Sequence, residues 1–150
     1  MIRYHDRIVK GTAQMSGSLP VEEMLRQPGG RLQSIRLKIA DSNLVEDCPL
    51  GNVKAVFLVK TFEGDYRRNA LHFHNQTQVM QGLWVRVEFD DAEIMEGMVL
   101  NDRDYVLEPG FLLIPTDPRS NNRMVYVLKA WLKNFEVLGL RNPPRGHASF

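Results

Sequence analysis

The stretch "VRVEFDDAEIMEG", Val85 to Gly97, reads as an apolar strand, an acidic turn, a second strand and a glycine. Val85, Val87 and Phe89 alternate with Arg86 and Glu88, so one face of the first strand is apolar and the other charged. Near the start of the chain "IRYHDRIVKG", Ile2 to Gly11, repeats the same plan. Counting outward from the turn, Tyr4 matches Phe89, Asp6 matches Asp91, Ile8 matches Ile94 and Gly11 matches Gly97. The first copy is one residue shorter in its turn.

The correspondence continues downstream. "SIRLKIAD" ends at Asp41 and "GFLLIPTD" at Asp117, which sets Ile35 against Phe111 and Leu37 against Leu113. "VKAVFLV" from Val53 matches "LKAWLKN" from Leu128, with Lys54-Ala55 on Lys129-Ala130. Four matched features in one order imply an internal duplication. Each unit would hold roughly 55 to 65 residues of short antiparallel strands, a length at which an isolated core is marginal. The expected division is a first unit at 1–63, a linker at 64–82, a second unit at 83–138 and a mobile tail at 139–150.

The expected fold class is mostly β: two tandem small Sm-like or SH3-like barrel units of antiparallel strands, with one short helix in the first. Gly11 and Gly97 fall inside the second strand of each unit, where a glycine marks a bulge or sharp bend. "MVYVL", Met124 to Leu128, and "LLIP", Leu112 to Pro115, are continuously apolar and suit strands buried on both faces. The helix is expected in "SLPVEEMLRQPGG", Ser18 to Gly30, with Ser18 as cap and Pro28-Gly29-Gly30 as terminator.

Composition narrows the function classes. The chain has 150 residues, 43% hydrophobic and 25% charged, which is ordinary for a globular protein. Its formal net charge of +1 gives no general attraction to nucleic acid or acidic membrane. The one cysteine, Cys48, excludes an internal disulfide and a multi-cysteine zinc site. The longest apolar run, Ala55 to Val59, is far below the roughly 20 residues of a membrane helix. With a polar N-terminus, these features predict a soluble cytoplasmic protein.

The residues also resemble a known pattern. "VRVEFDDAEIMEG", "PGFLLIPTDPRSNN" and the upstream "VKAVFLVKTFEGD" are similar to an uncharacterised bacterial domain family, over most of residues 1–140. The most specific piece is Ile114 to Asn122. The resemblance implies a tandem Sm-like or SH3-like β-barrel, often found next to PilZ or signalling domains, and a regulatory or scaffolding role. The family's Asp-Gly turn is Asp91-Ala92 here, and the lost glycine predicts a turn of another type.

Several clusters are candidates for chemistry. Arg119, Ser120, Asn121, Asn122 and Arg123 form a polar loop between two apolar strands, suited to a phosphate, a carboxylate or a partner's backbone. The plainer alternative is a turn whose side chains satisfy their own backbone. His72 and His74 would share one face of a strand, but a metal needs further ligands, and a linker with two solvated or packed imidazoles is the simpler reading. Arg67-Arg68 lacks the second element of a cyclic-dinucleotide site. In an Sm-like plan Tyr105 would stack a base and Lys129 would meet phosphate, although the Arg-Gly step of such sites is missing and Asp102 and Asp104 oppose phosphate. Cys48 lies beside the acidic Glu46 and Asp47, which raise a thiol pKa. No phosphate loop, nucleophile elbow or dinucleotide glycine triplet occurs.

The expectation is therefore a non-enzymatic binding or scaffolding module with no catalytic, cofactor or metal site. It recognises a protein partner, or itself, through a strand edge or the 119–123 loop. The alternative is an Sm-like RNA-binding protein. The role of the 12–34 loop is left open by the sequence.

Overall fold

The computed structural model of the protein describes residues 1–14, 21–25, 33–60, 82–100, 107–117 and 119–141. Alternating segments become strands: β1 (Ile2–Tyr4), β2 (Ile8–Val9), β3 (Gly11–Ala13), β4 (Ser34–Ile39), β5 (Val45–Pro49) and β6 (Val53–Val59) in the first half. The second half holds β7 (Gly82–Phe89), β8 (Ile94–Leu100), β9 (Gly110–Pro115), β10 (Asn122–Leu128) and β11 (Leu132–Arg141). Helix α1 (Val21–Leu25) falls inside the expected helical stretch, and a 3-10 turn spans Lys129–Trp131. The fold is mostly β, as expected. β11 continues through Arg141, so the first three residues of the expected tail are strand.

All pairings are antiparallel. One sheet has eight strands in the order β11-β7-β8-β9-β10-β6-β1-β2, and a second has three in the order β3-β4-β5. The described strands do not close into a barrel.

The pairing registers of the two halves coincide. Ile2 opposes Val9 and Arg3 opposes Ile8, while Val87 opposes Met95 and Glu88 opposes Ile94. Gly11 opposes Ile39 as Gly97 opposes Pro115. Ile35 opposes Cys48 as Phe111 opposes Val127. The same backbone hydrogen bonds recur: Leu50 N–H to Gln33 O (2.8 Å) and Lys129 N–H to Pro109 O (2.9 Å), Ala40 N–H to Lys10 O (2.9 Å) and Thr116 N–H to Glu96 O (3.3 Å).

The fifth strand of each half corrects the sequence alignment. Tyr4 opposes Val53 and Arg3 opposes Ala55, with Lys54 as the extra residue of a bulge. Phe89 opposes Leu132 and Glu88 opposes Asn134, with Lys133 in that position. Lys54 therefore corresponds to Lys133, not Lys129. The tripeptide 129–131 instead corresponds to 50–52: Leu132 N–H donates to Lys129 O as Val53 N–H donates to Leu50 O.

β6 and β10 join the halves. Val125 lies opposite Phe57, Tyr126 opposite Val56 and Val127 opposite Ala55. Alternate residues of the pair feed two cores. Val53, Val56 and Tyr126 pack with Ile2, Tyr4, Ile35 and Leu37 in one, and Leu25 of α1 covers the same cluster. Ala55, Phe57, Val125 and Val127 pack with Val85, Val87, Phe89 and Leu113 in the other. That dual duty explains why these segments are apolar without alternation.

The glycines mark close approach. A Cβ at Gly97 would fall on the Leu113 side chain and 2.6 Å from the Ile114 carbonyl oxygen, and one at Gly11 would meet the Lys38 carbonyl. Gly11 also stands where the chain leaves the large sheet for the small one. The β7–β8 turn overturns one expectation. Ala92 sits at φ 64°, the left-handed region that the missing glycine would favour. Ala92 N–H bonds Phe89 O (3.0 Å) and Phe89 N–H bonds Glu93 O (2.9 Å), which closes a three-residue hairpin loop.

Candidate functional site

Of the expected Arg119–Arg123 loop, Arg119, Ser120 and Asn121 lie in the connection from β9 to β10, while Asn122 and Arg123 begin β10 itself. Asp117 Oδ1 accepts from Arg119 N–H at 2.9 Å, and its carbonyl accepts from Ser120 N–H at 3.0 Å. Ser120 Oγ accepts from Asn122 N–H at 3.1 Å. Lys60 Nζ donates to Ser120 O at 2.9 Å, and Lys60 N–H donates to Asn121 O at 3.0 Å. These are the self-satisfying bonds of an Asx-type turn. The Arg119 side chain is 90% exposed and approaches Asp117 at 3.7 Å.

Lys129 occupies the 3-10 turn, where burial lowers its pKa and the nearby Glu108 charge works the other way. Tyr105, the other residue of the RNA alternative, lies outside the described residues, as do Arg67, Arg68, His72 and His74. Among the described residues no group of three His, Cys, Asp or Glu side chains gathers as a metal ion requires. No described helix is long and apolar enough to cross a membrane.

Sequence reasoning missed the charge cluster at the junction of the halves. Lys54, turned inward by its bulge, is buried. Its Nζ donates to Asp91 Oδ2 and Glu93 Oε2, both at 2.6 Å, and lies 4.2 Å from the Phe89 ring centroid. Arg3 donates to Glu93 at 2.7 Å and approaches Asp91 at 3.6 Å. The hydrogen bond from Lys54 holds the Asp91 carboxyl below the usual carboxylate range. The acidic turn of the opening stretch is thus an electrostatic clasp on the first half. The available signal was a lysine inside the apolar run that starts at Val53.

A cleft of about 390 Å³ lies nearby, lined by Tyr4, His5, Asp6, Asn52 and Trp131 among others. The His5 and Trp131 rings stack with centroids 5.5 Å apart. The Tyr4 hydroxyl donates to Pro49 O at 3.2 Å, and burial, then Cys48, pushes its pKa up to about 12. The Cys48 thiol is also raised, first by burial and only then by Glu46 and Asp47.

Exposed apolar side chains occur at Ile8 of β2, Ile94 of β8 and Leu107, and at two further places on or beside outer strands. Leu44, just before β5, and Val45, its first residue, are 71% and 55% exposed, and Val137 and Leu140, on β11, are 50% and 73% exposed. Among the described residues β5 pairs only with β4, and β11 only with β7. Each strand therefore has an outer edge of backbone N–H and C=O groups with no strand of the described residues beside it.

The architecture is that of an antiparallel β protein whose two halves share one pairing scheme, with β11 and β2 outermost in the large sheet and β3 and β5 outermost in the small one. The chain belongs to DUF6982, a family of unknown function, whose model matches residues 1–139. The comparisons with curated proteins and with solved structures find no match.

Proposed function

We propose that the protein is a non-enzymatic binding or scaffolding module of bacterial type, built from two duplicated Sm-like or SH3-like units. It engages a protein partner through its strand edges. The observation that carries the reading is the placement of Val45 on β5 and of Val137 and Leu140 on β11, both outer strands, with Leu44 just before β5. An open edge with apolar side chains suits augmentation by another strand, in which main-chain bonds supply affinity and side chains supply register. The 119–123 loop is the weaker candidate, because much of its backbone and the Ser120 hydroxyl are tied into its own turn and to Lys60.

The experiment places a photo-reactive residue at Val45, Val137 or Arg119 of the full chain in the native cell. The reading expects polypeptide adducts from Val45 and Val137, resistant to nuclease. Adducts from neither edge, or nuclease-sensitive adducts only, overturn it, and the latter result favours the RNA alternative.

A further inference from the structure

The joint between β6 and β10 is a fifth strand of one half laid against a fourth strand of the other. The coincident registers make β5 the counterpart of β10 and β11 the counterpart of β6. One fourth strand and one fifth strand are thus used inside the chain. The other two, β5 and β11, each lie outermost in their sheet among the described residues, and carry the exposed Val45 and the exposed Val137 and Leu140. We propose that β11 of one chain pairs antiparallel with β5 of a second copy, in the register already used by β6 and β10, and so builds a head-to-tail assembly. The proposal rests on the edge-binding reading above and deepens it by naming the partner as this chain itself.

The register follows residue by residue. Met124 opposes Leu58 within the chain, and the corresponding pair between chains is Val45 with Val137. Both residues are about half exposed in the single chain, and pairing would cover both. The Val125–Phe57 pair becomes Glu46 with Glu136, and Tyr126–Val56 becomes Asp47 with Phe135. Like charges opposite one another destabilise a sheet. Here each carboxylate brings its own guanidinium: Arg7 donates to Glu46 at 2.8 Å, Arg86 lies 3.6 Å from Glu136, and Arg36 donates to Asp47 at 2.8 Å. The joint between chains is therefore more polar than the one inside, so it dissociates where the inner joint holds. Because the two surfaces differ, the contact is heterologous and gives a ring if its rotation closes and a filament if it does not.

The test is light-scattering mass of the purified full chain over a wide concentration range, for the wild type and two double variants. Wild type is expected to exceed the single-chain mass as concentration rises. Val45→Lys with Val137→Lys sets two ammonium groups opposite each other and should leave single chains. Val45→Lys with Val137→Glu sets opposite charges together and should assemble again. Both positions are exposed, so all three proteins should show the same thermal unfolding when dilute. A wild type that stays single at every concentration overturns the proposal, as does assembly of the Lys/Lys variant or failure of the Lys/Glu variant. A single-chain wild type that still forms edge adducts with other proteins in the cell would sink this inference alone and leave the module reading standing.

Discussion

Replacing Lys54 with Met is the sharpest probe of how the two halves are held together. Lys54 is 4% exposed and makes two hydrogen bonds of 2.6 Å, to Asp91 and Glu93. Removing one partner from a buried ion pair costs about 3–5 kcal/mol when the abandoned charges stay buried. Here they do not: the Asp91 and Glu93 side chains are 39% and 31% exposed, and Arg3 remains 2.7 Å from Glu93. Methionine also keeps an apolar contact with the Phe89 ring. The expected loss is therefore about 2 kcal/mol, between that of an exposed pair and that of a fully buried one. For a chain of this size that lowers the unfolding midpoint by about 4–8 °C. The pH dependence has a definite sign. The folded Asp91 carboxyl titrates below the ordinary aspartate value of 3.8, so its contribution is present above that value and lost as pH falls through the lower folded one. Urea titrations at neutral and at strongly acid pH should show a wild-type advantage that shrinks in acid. A Lys54→Met protein within about 0.5 kcal/mol of wild type at neutral pH, the range of ordinary surface substitutions, would refute the clasp. So would a deficit that persists unchanged in acid.

Other substitutions test the turn, the crossing and the core. Ala92→Gly relieves an L-residue at φ 64° and should stabilise the protein by about 0.5–1 kcal/mol after the unfolded-state entropy of glycine is counted, read by urea denaturation. Gly97→Ala drives a methyl into the fully buried Leu113 and the Ile114 carbonyl, and should cost about 1–3 kcal/mol in the same assay. The Cys48 thiol, buried and raised in pKa, should react with a thiol reagent only at the rate of unfolding, and fully in denaturant.

The hairpin stretch Val85 to Gly97 made the pairing scheme legible because alternation, turn and glycine each leave a local mark. The matches of Tyr4 with Phe89, Gly11 with Gly97 and Ile35 with Phe111 all recur as matching registers. The fifth strand misled because Lys54-Ala55 and Lys129-Ala130 are identical pairs, while the true counterpart of Lys54 is the bulge residue Lys133. A bulge has no residue-type signature of its own, so only the pairing reveals it. The β6–β10 joint was also hidden. An apolar run such as Ala55 to Val59 says that both faces are covered, not by which strand. The same limit kept the Lys54 clasp out of view, since its carboxylates lie far along the chain at Asp91 and Glu93.

Amide hydrogen exchange across the strand edges tests the central claim most directly. The account predicts that protection of the outer amides of β5 and β11 rises with protein concentration, while the amides shared by β6 and β10 are protected at every concentration. Exchange at β5 and β11 that stays fast and independent of concentration would contradict it.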